Sequence, residues 1–133
     1  MKPRIIIVAS MFLAAVALSS CSSSSATLET VAPDAAAQVI ADNPDAVVLD
    51  IRTPEEFAAG FIEGAVNIDF YASDFAAQLD QLDKGTEYVV YCRSGNRSGE
   101  AMGMFADLGF ETVTEIDGGI VNWYESGFPV VAE

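Results

Sequence analysis

An α/β fold with a mainly parallel sheet is the class this sequence predicts. Three observations carry that prediction. Short β-rich apolar runs alternate with helix patterns along the chain. Caps and turn signals separate them at regular intervals. The 133 residues suit one domain rather than two.

The elements follow in order. The folded domain is expected to begin near Thr27 and to run to residue 133. Pro33 suits a first helical turn, and Asp34 to Ala41 carries apolar residues at helical spacing. Asn43-Pro44-Asp45 marks a turn. Ala46 to Asp50 reads as a buried strand. Thr53-Pro54-Glu55-Glu56 is a capping box with proline at the first helical position, so a short helix starts there, with Glu56 as the partner of Thr53. Gly60 and Gly64 punctuate a loop before a second short strand, Ala65 to Ile68. Ser73 is placed to cap a helix running to about Leu82, with Phe75, Leu79 and Leu82 on one face and Lys84-Gly85 ending it. Glu87 to Tyr91 is β-rich and delivers Cys92 at its C-terminal end. Arg93 to Asn96 forms a tight polar loop, and a helix from about Arg97 to Leu108 closes at Gly109. Thr112 to Ile116 is the last strand; Gly118-Gly119 turns the chain into a short helix carrying Trp123, read as core packing.

Composition narrows the chemistry. The chain has no histidine, which excludes Ser-His-Asp and Cys-His hydrolases, His-ligated zinc and His general bases. Two cysteines, Cys21 and Cys92, cannot build a four-cysteine metal site, and the acidic residues show no metal-ligand spacing. Six Lys+Arg against twenty Asp+Glu make nucleic acid and anionic headgroups poor partners.

The first twenty residues read as a signal segment. Lys2 and Arg4 precede an apolar run from Ile5 to Leu18, too short to span a bilayer comfortably. Leu18-Ser19-Ser20-Cys21 resembles a bacterial lipobox, which implies cleavage after residue 20 and a lipid on Cys21. Residues 21–26 are then the lipidated cysteine and a Ser-rich tether. Cleavage removes Lys2 and Arg4 and no acidic side chain, so the formal charge moves from −14 to −16 and Cys92 is the one free thiol. The implied location is extracytoplasmic, anchored to the cell envelope through that lipid.

Cys92 is the candidate nucleophile. It ends a strand, and the loop after it feeds a helix N-terminus whose amides and dipole favour an anion. Arg93 and Arg97 flank the loop, Gly95 permits a sharp turn, and Asn96 tolerates left-handed angles. The segment Cys92-Arg93-Ser94-Gly95-Asn96-Arg97-Ser98 resembles the active-site loop of the rhodanese family of sulfurtransferases. Tyrosine phosphatases place five residues between Cys and Arg, whereas four separate Cys92 from Arg97 here. Two further segments extend the resemblance. Asp50-Ile51-Arg52 with Glu56-Phe57 is similar to the family's first signature, continued by Gly60-Phe61-Ile62-Glu63-Gly64-Ala65, where Phe61 replaces the usual His. Gly118-Gly119-Ile120, Trp123, Gly127 and Pro129-Val130 resemble its closing motif.

The resemblance implies a rhodanese-like fold, a five-stranded sheet with helices on both faces. It implies transfer of sulfane sulfur from a small anionic donor such as thiosulfate to cyanide or a thiol, through a Cys92 persulfide. Arg93, Ser94, Gly95, Asn96, Arg97 and Ser98 would bind the donor, and no metal or organic cofactor is called for. Asp50 and Arg52 are expected to form a supporting ion pair, and Phe61 to change packing rather than activity. Two other readings stand beside it: an arsenate reductase or small phosphatase on the same fold, and a non-enzymatic sulfur carrier or docking lipoprotein module.

Overall fold

The computed structural model describes residues 25–132. The signal segment, Cys21 and most of the Ser-rich tether lie outside the described residues. Five strands form one sheet: β1 (Thr27–Val31), β2 (Val47–Asp50), β3 (Val66–Asn67), β4 (Glu87–Tyr91) and β5 (Thr112–Ile116). Their order is β1-β5-β4-β2-β3, and every pairing is parallel. Five helices complete it: α1 (Pro33–Asp42), α2 (Pro54–Ala58), α3 (Phe75–Asp80), α4 (Asn96–Asp107) and α5 (Gly119–Glu125).

The chain crosses the sheet outward from β1 to β3, then returns through β4 to β5. A single crossover hand therefore puts the helices of the two legs on opposite faces. Period-two alternation along β4 feeds both cores. Tyr88, Val90 and Cys92 point to one face, where they pack with Leu49, Ile51, Phe75 and Leu79 of α3, and Ala101 and Phe105 of α4. Val89 and Tyr91 point to the other, with Val48, Ala36 of α1, and Ile120 and Trp123 of α5. Each face is thus covered by two helices, and β4 is buried along four of its five residues.

The expected strands at β4 and β5 agree with the structure residue for residue. Three elements differ. β1 has no apolar run; it forms because its backbone pairs with β5 from Thr27↔Thr112 to Val31↔Ile116, leaving it a largely exposed edge. β3 shrinks to two residues at the opposite edge. α3 begins at Phe75 with Asp74 as its N-cap residue, because a turn closed by Phe75 N–H to the Ala72 carbonyl occupies the place given to Ser73. α3 stops at Asp80, short of Leu82, with Gln81 as its C-cap residue, and Lys84 Nζ donates to the carbonyls of Leu79, Asp80 and Leu82.

Because all strands run the same way, the C-terminal ends Asp50, Asn67, Tyr91 and Ile116 lie along one edge of the sheet. That edge is where open parallel sheets bind ligands.

Candidate active site

Cys92 leaves β4 at this edge and is 1% exposed. The backbone folds around its sulfur. The amide of Gly95 donates to Sγ at 3.1 Å, and the amide of Ser98 donates at 3.4 Å. The Ser98 Oγ lies 3.3 Å from the same atom. Gly95 makes the curl with φ +101°, a left-handed conformation that disfavours a side chain, and then N-caps α4. Burial pushes the Cys92 thiol up, the hydrogen bonds donated by the amides of Ser98, Gly95 and Ser94 pull it down, and the thiol lies below its ordinary value.

The other end of the motif set holds this loop in shape. The amides of Ile120 and Val121, at the start of α5, donate to the carbonyls of Cys92 and Arg93 at 2.9 and 3.1 Å. Gly119 lies against those carbonyls so closely that a Cβ there would sit 2.4 Å from the Cys92 oxygen. The loop carbonyls are thereby turned to α5, while loop amides turn to the sulfur. Gly119 thus supports the site, where the sequence showed only a turn.

Arg97 is engaged by a partner within the chain. Its guanidinium forks onto Glu56, Nη1 to Oε2 at 2.7 Å and Nη2 to Oε1 at 2.8 Å. Tyr71 packs against it, with the guanidinium carbon 5.5 Å from the ring centroid. Hydrogen bonding from Arg97 pulls the Glu56 carboxyl down to about 2. Glu56 also completes the expected capping box, accepting the Thr53 amide at 3.0 Å while its own amide donates to Thr53 Oγ1. Glu56 therefore ties α2 to the first turn of α4, a task that capping alone did not disclose. Arg93 differs: it is exposed, with no ion-pair partner among the described residues. Ser94 and Asn96 are exposed beside it, and Ser98 is fully buried beneath the sulfur.

Asp50 and Arg52 pair as expected. Arg52 Nη2 donates to Asp50 Oδ2 at 2.6 Å and to the Gly60 carbonyl at 2.6 Å, with both side chains buried. The pair braces the loop between β2 and β3 and lies against Tyr91, the residue before the cysteine. The Tyr91 hydroxyl accepts the Ile62 amide at 3.0 Å. Phe61 stacks on Phe57 at 4.3 Å between centroids, a packing contact. Trp123 is buried, its indole N–H on the Pro129 carbonyl. A pocket of about 470 Å³ opens beside the loop, lined by Arg52, Glu56, Gly60, Val121 and Tyr124 among others; none of its lining comes from residues 92–98. Among the described residues no group of His, Cys, Asp and Glu could hold a metal.

Comparison with known proteins agrees with this geometry. A family model described as a rhodanese-like domain matches residues 32–126. A protein of Allochromatium vinosum named sulfurtransferase is 36% identical over 95 residues, covering 71% of this chain and 87% of its own. The thiosulfate sulfurtransferase GlpE of Pseudomonas aeruginosa is 40% identical over 98 residues, covering 73% and 84%. The crystal structure of a rhodanese-related protein from Thermoplasma volcanium superposes with a TM-score of 0.67 at 32% identity, covering 79% of this chain and 99% of that one. The matched span runs from α1 through α5 and takes in the Cys92 loop together with the glycines that shape it, so the chain belongs to the rhodanese-like domain family.

Proposed function

We propose that this protein transfers sulfane sulfur from an anionic donor of the thiosulfate type to a nucleophilic acceptor, with Cys92 as the carrier. The observation that carries this reading is the convergence of the Gly95 and Ser98 amides on the buried Cys92 sulfur. A cradle of amides favours a sulfur anion at the end of a strand, and the relatives named sulfurtransferases point to the same chemistry.

The reaction proceeds by two displacements. The Cys92 thiolate attacks the outer sulfur of thiosulfate; a new S–S bond forms, the donor's S–S bond breaks, and sulfite leaves with the electron pair. Cyanide or a thiolate then attacks the outer sulfur of the persulfide, and Cys92 departs as thiolate. The loop amides stabilise the sulfur anion in both steps. Arg93, exposed beside the loop, supplies positive charge for the incoming donor, while Arg97 acts through Glu56 to hold the start of α4. A lipid on Cys21 would hold the domain to the cell envelope on its extracytoplasmic side, at a periplasmic or cell-surface face.

Mass spectrometry after incubation with thiosulfate tests the reading. Gain of one sulfur on the Cys92 peptide, lost on adding cyanide with release of thiocyanate, is the expected result. A persulfide that forms but does not turn over makes the protein a carrier. No sulfur gain with any sulfane donor overturns the reading, and turnover of arsenate or a phosphate ester would replace it.

A further inference from the structure

Glu115 lies on β5 beneath the Cys92 loop and is 4% exposed. No ion pair engages it among the described residues. Two hydroxyls hold its carboxylate instead: Thr30 Oγ1 donates to Oε2 at 2.7 Å, and Ser98 Oγ donates to Oε1 at 2.6 Å. Ser98 Oγ is the donor in that contact, so its single hydroxyl proton points to Glu115. The same Ser98 oxygen lies 3.3 Å from the Cys92 sulfur. With its proton committed, that oxygen presents lone pairs to the sulfur. It can accept from an S–H and cannot donate to a thiolate. The hydroxyl contact therefore opposes ionisation of Cys92, whereas the amides favour it.

We propose that Glu115 is a positioning residue for Cys92: by holding the Ser98 hydroxyl proton, it makes Ser98 an acceptor of the Cys92 S–H and restrains the thiolate formation that the loop amides promote. The proposal rests on Cys92 as the nucleophile. Such a restraint has a use. A thiolate stabilised too strongly is a weak nucleophile, and attack on a sulfur donor is best served by a thiol that ionises near ambient pH.

Other charges near the pair leave this arrangement standing. From α4, Arg97 senses the Cys92 charge but is forked onto Glu56 of α2. Arg93 in the loop, Glu100 of α4, and Asp117 just after β5 are exposed. On β1, Thr30 is the contact, and the exposed Glu29 alternates to the other side of the strand. From β4, the residue paired with Glu115 is Val90, which carries no charge.

The test is the pH dependence of Cys92 alkylation by iodoacetamide, read by peptide mass spectrometry so that Cys21 does not contribute. Glu115→Gln removes the charge and lets the amide N–H donate to Ser98, freeing the hydroxyl proton for the sulfur. The alkylation midpoint is expected to fall by about 1–2 pH units. Ser98→Ala is expected to leave the midpoint in place or lower it, and in that background Glu115→Gln should shift it by less than about half as much. A midpoint that rises, or moves by less than roughly 0.3 units, in Glu115→Gln overturns the proposal. A rise of about one unit in Ser98→Ala does so too, because it would mean that the hydroxyl donates to the thiolate with Glu115 present; this arm stands alone if Glu115→Gln does not fold. Alkylation needs no sulfur donor. A protein that shifts as expected but never gains sulfur rejects the sulfurtransferase reading and keeps this one.

Discussion

Replacing Gly119 by alanine should injure the site without touching a reactive atom. Gly119 has φ +60°, and a Cβ there would meet the Cys92 oxygen at 2.4 Å and the Arg93 oxygen at 2.5 Å. Both are backbone atoms and cannot swing aside. The left-handed conformation alone costs about 1–2 kcal/mol for a residue with a Cβ. Forcing the loop away adds about 1–3 kcal/mol of overpacking. Gly109 supplies the control, because its φ is +83° but nothing lies within 4 Å of its Cβ position. Gly109→Ala should therefore show only the conformational cost. At roughly 4–8 °C per kcal/mol for a domain of this size, Gly119→Ala should melt about 5–20 °C below Gly109→Ala. The shift also strains the bonds from Ile120 and Val121 to the loop carbonyls. Well below both melting points, sulfur transfer and Cys92 alkylation should fall by about 10-fold or more in Gly119→Ala, since small displacements of a reacting group are expensive. Thermal unfolding and alkylation rates, measured side by side on the two variants, decide the matter. Equal melting temperatures and equal thiol reactivity would refute the argument that Gly119 exists to let α5 approach the loop.

Other perturbations follow from the same contacts. Cys92→Ser should abolish thiosulfate-to-cyanide transfer with little change in melting temperature, because a hydroxyl cannot carry a persulfide; rates above the uncatalysed level would remove Cys92 from its role. Glu56 has its carboxyl lowered to about 2 by Arg97, so the stability it contributes is present above the ordinary carboxylate range and is lost as pH falls from about 4.5 towards 2. Because the pair is partly solvated, that contribution is about 1 kcal/mol, and urea midpoints at about pH 6 and pH 3 should converge for wild type and Glu56→Gln at the lower pH. Tyr91→Phe leaves the buried Ile62 amide without its acceptor and should cost about 1–3 kcal/mol in denaturant unfolding. If Cys21 carries lipid, wild type should partition into detergent and Cys21→Ser should not, as seen by phase separation and intact mass.

What the sequence determined by itself was whatever depends on neighbours in the chain. β4 and β5 are legible because their apolar, β-rich residues need burial on both faces, and α2 because the Thr53 to Glu56 box satisfies its own amides. The Cys92 loop is legible for the same reason: a strand, a glycine with positive φ and a helix start are all local. β1 was not legible, since its polar, exposed residues become a strand only when β5 offers hydrogen-bond partners 85 residues away, as between Thr30 and Glu115. The assignment of charges was equally out of reach. Arg97 reads from the sequence as an anion binder because its charge is visible there, while Glu56, 41 residues distant, is placed against it only by the packing of α2 on α4. Glu115 reads as one more acidic residue of an acidic chain; the tertiary fold alone buries it behind Ser98, whose hydroxyl donates to its carboxylate and lies against the Cys92 sulfur. Sequence periodicity reports which side of an element is buried, but the partner of a buried polar atom is chosen by how the elements come together.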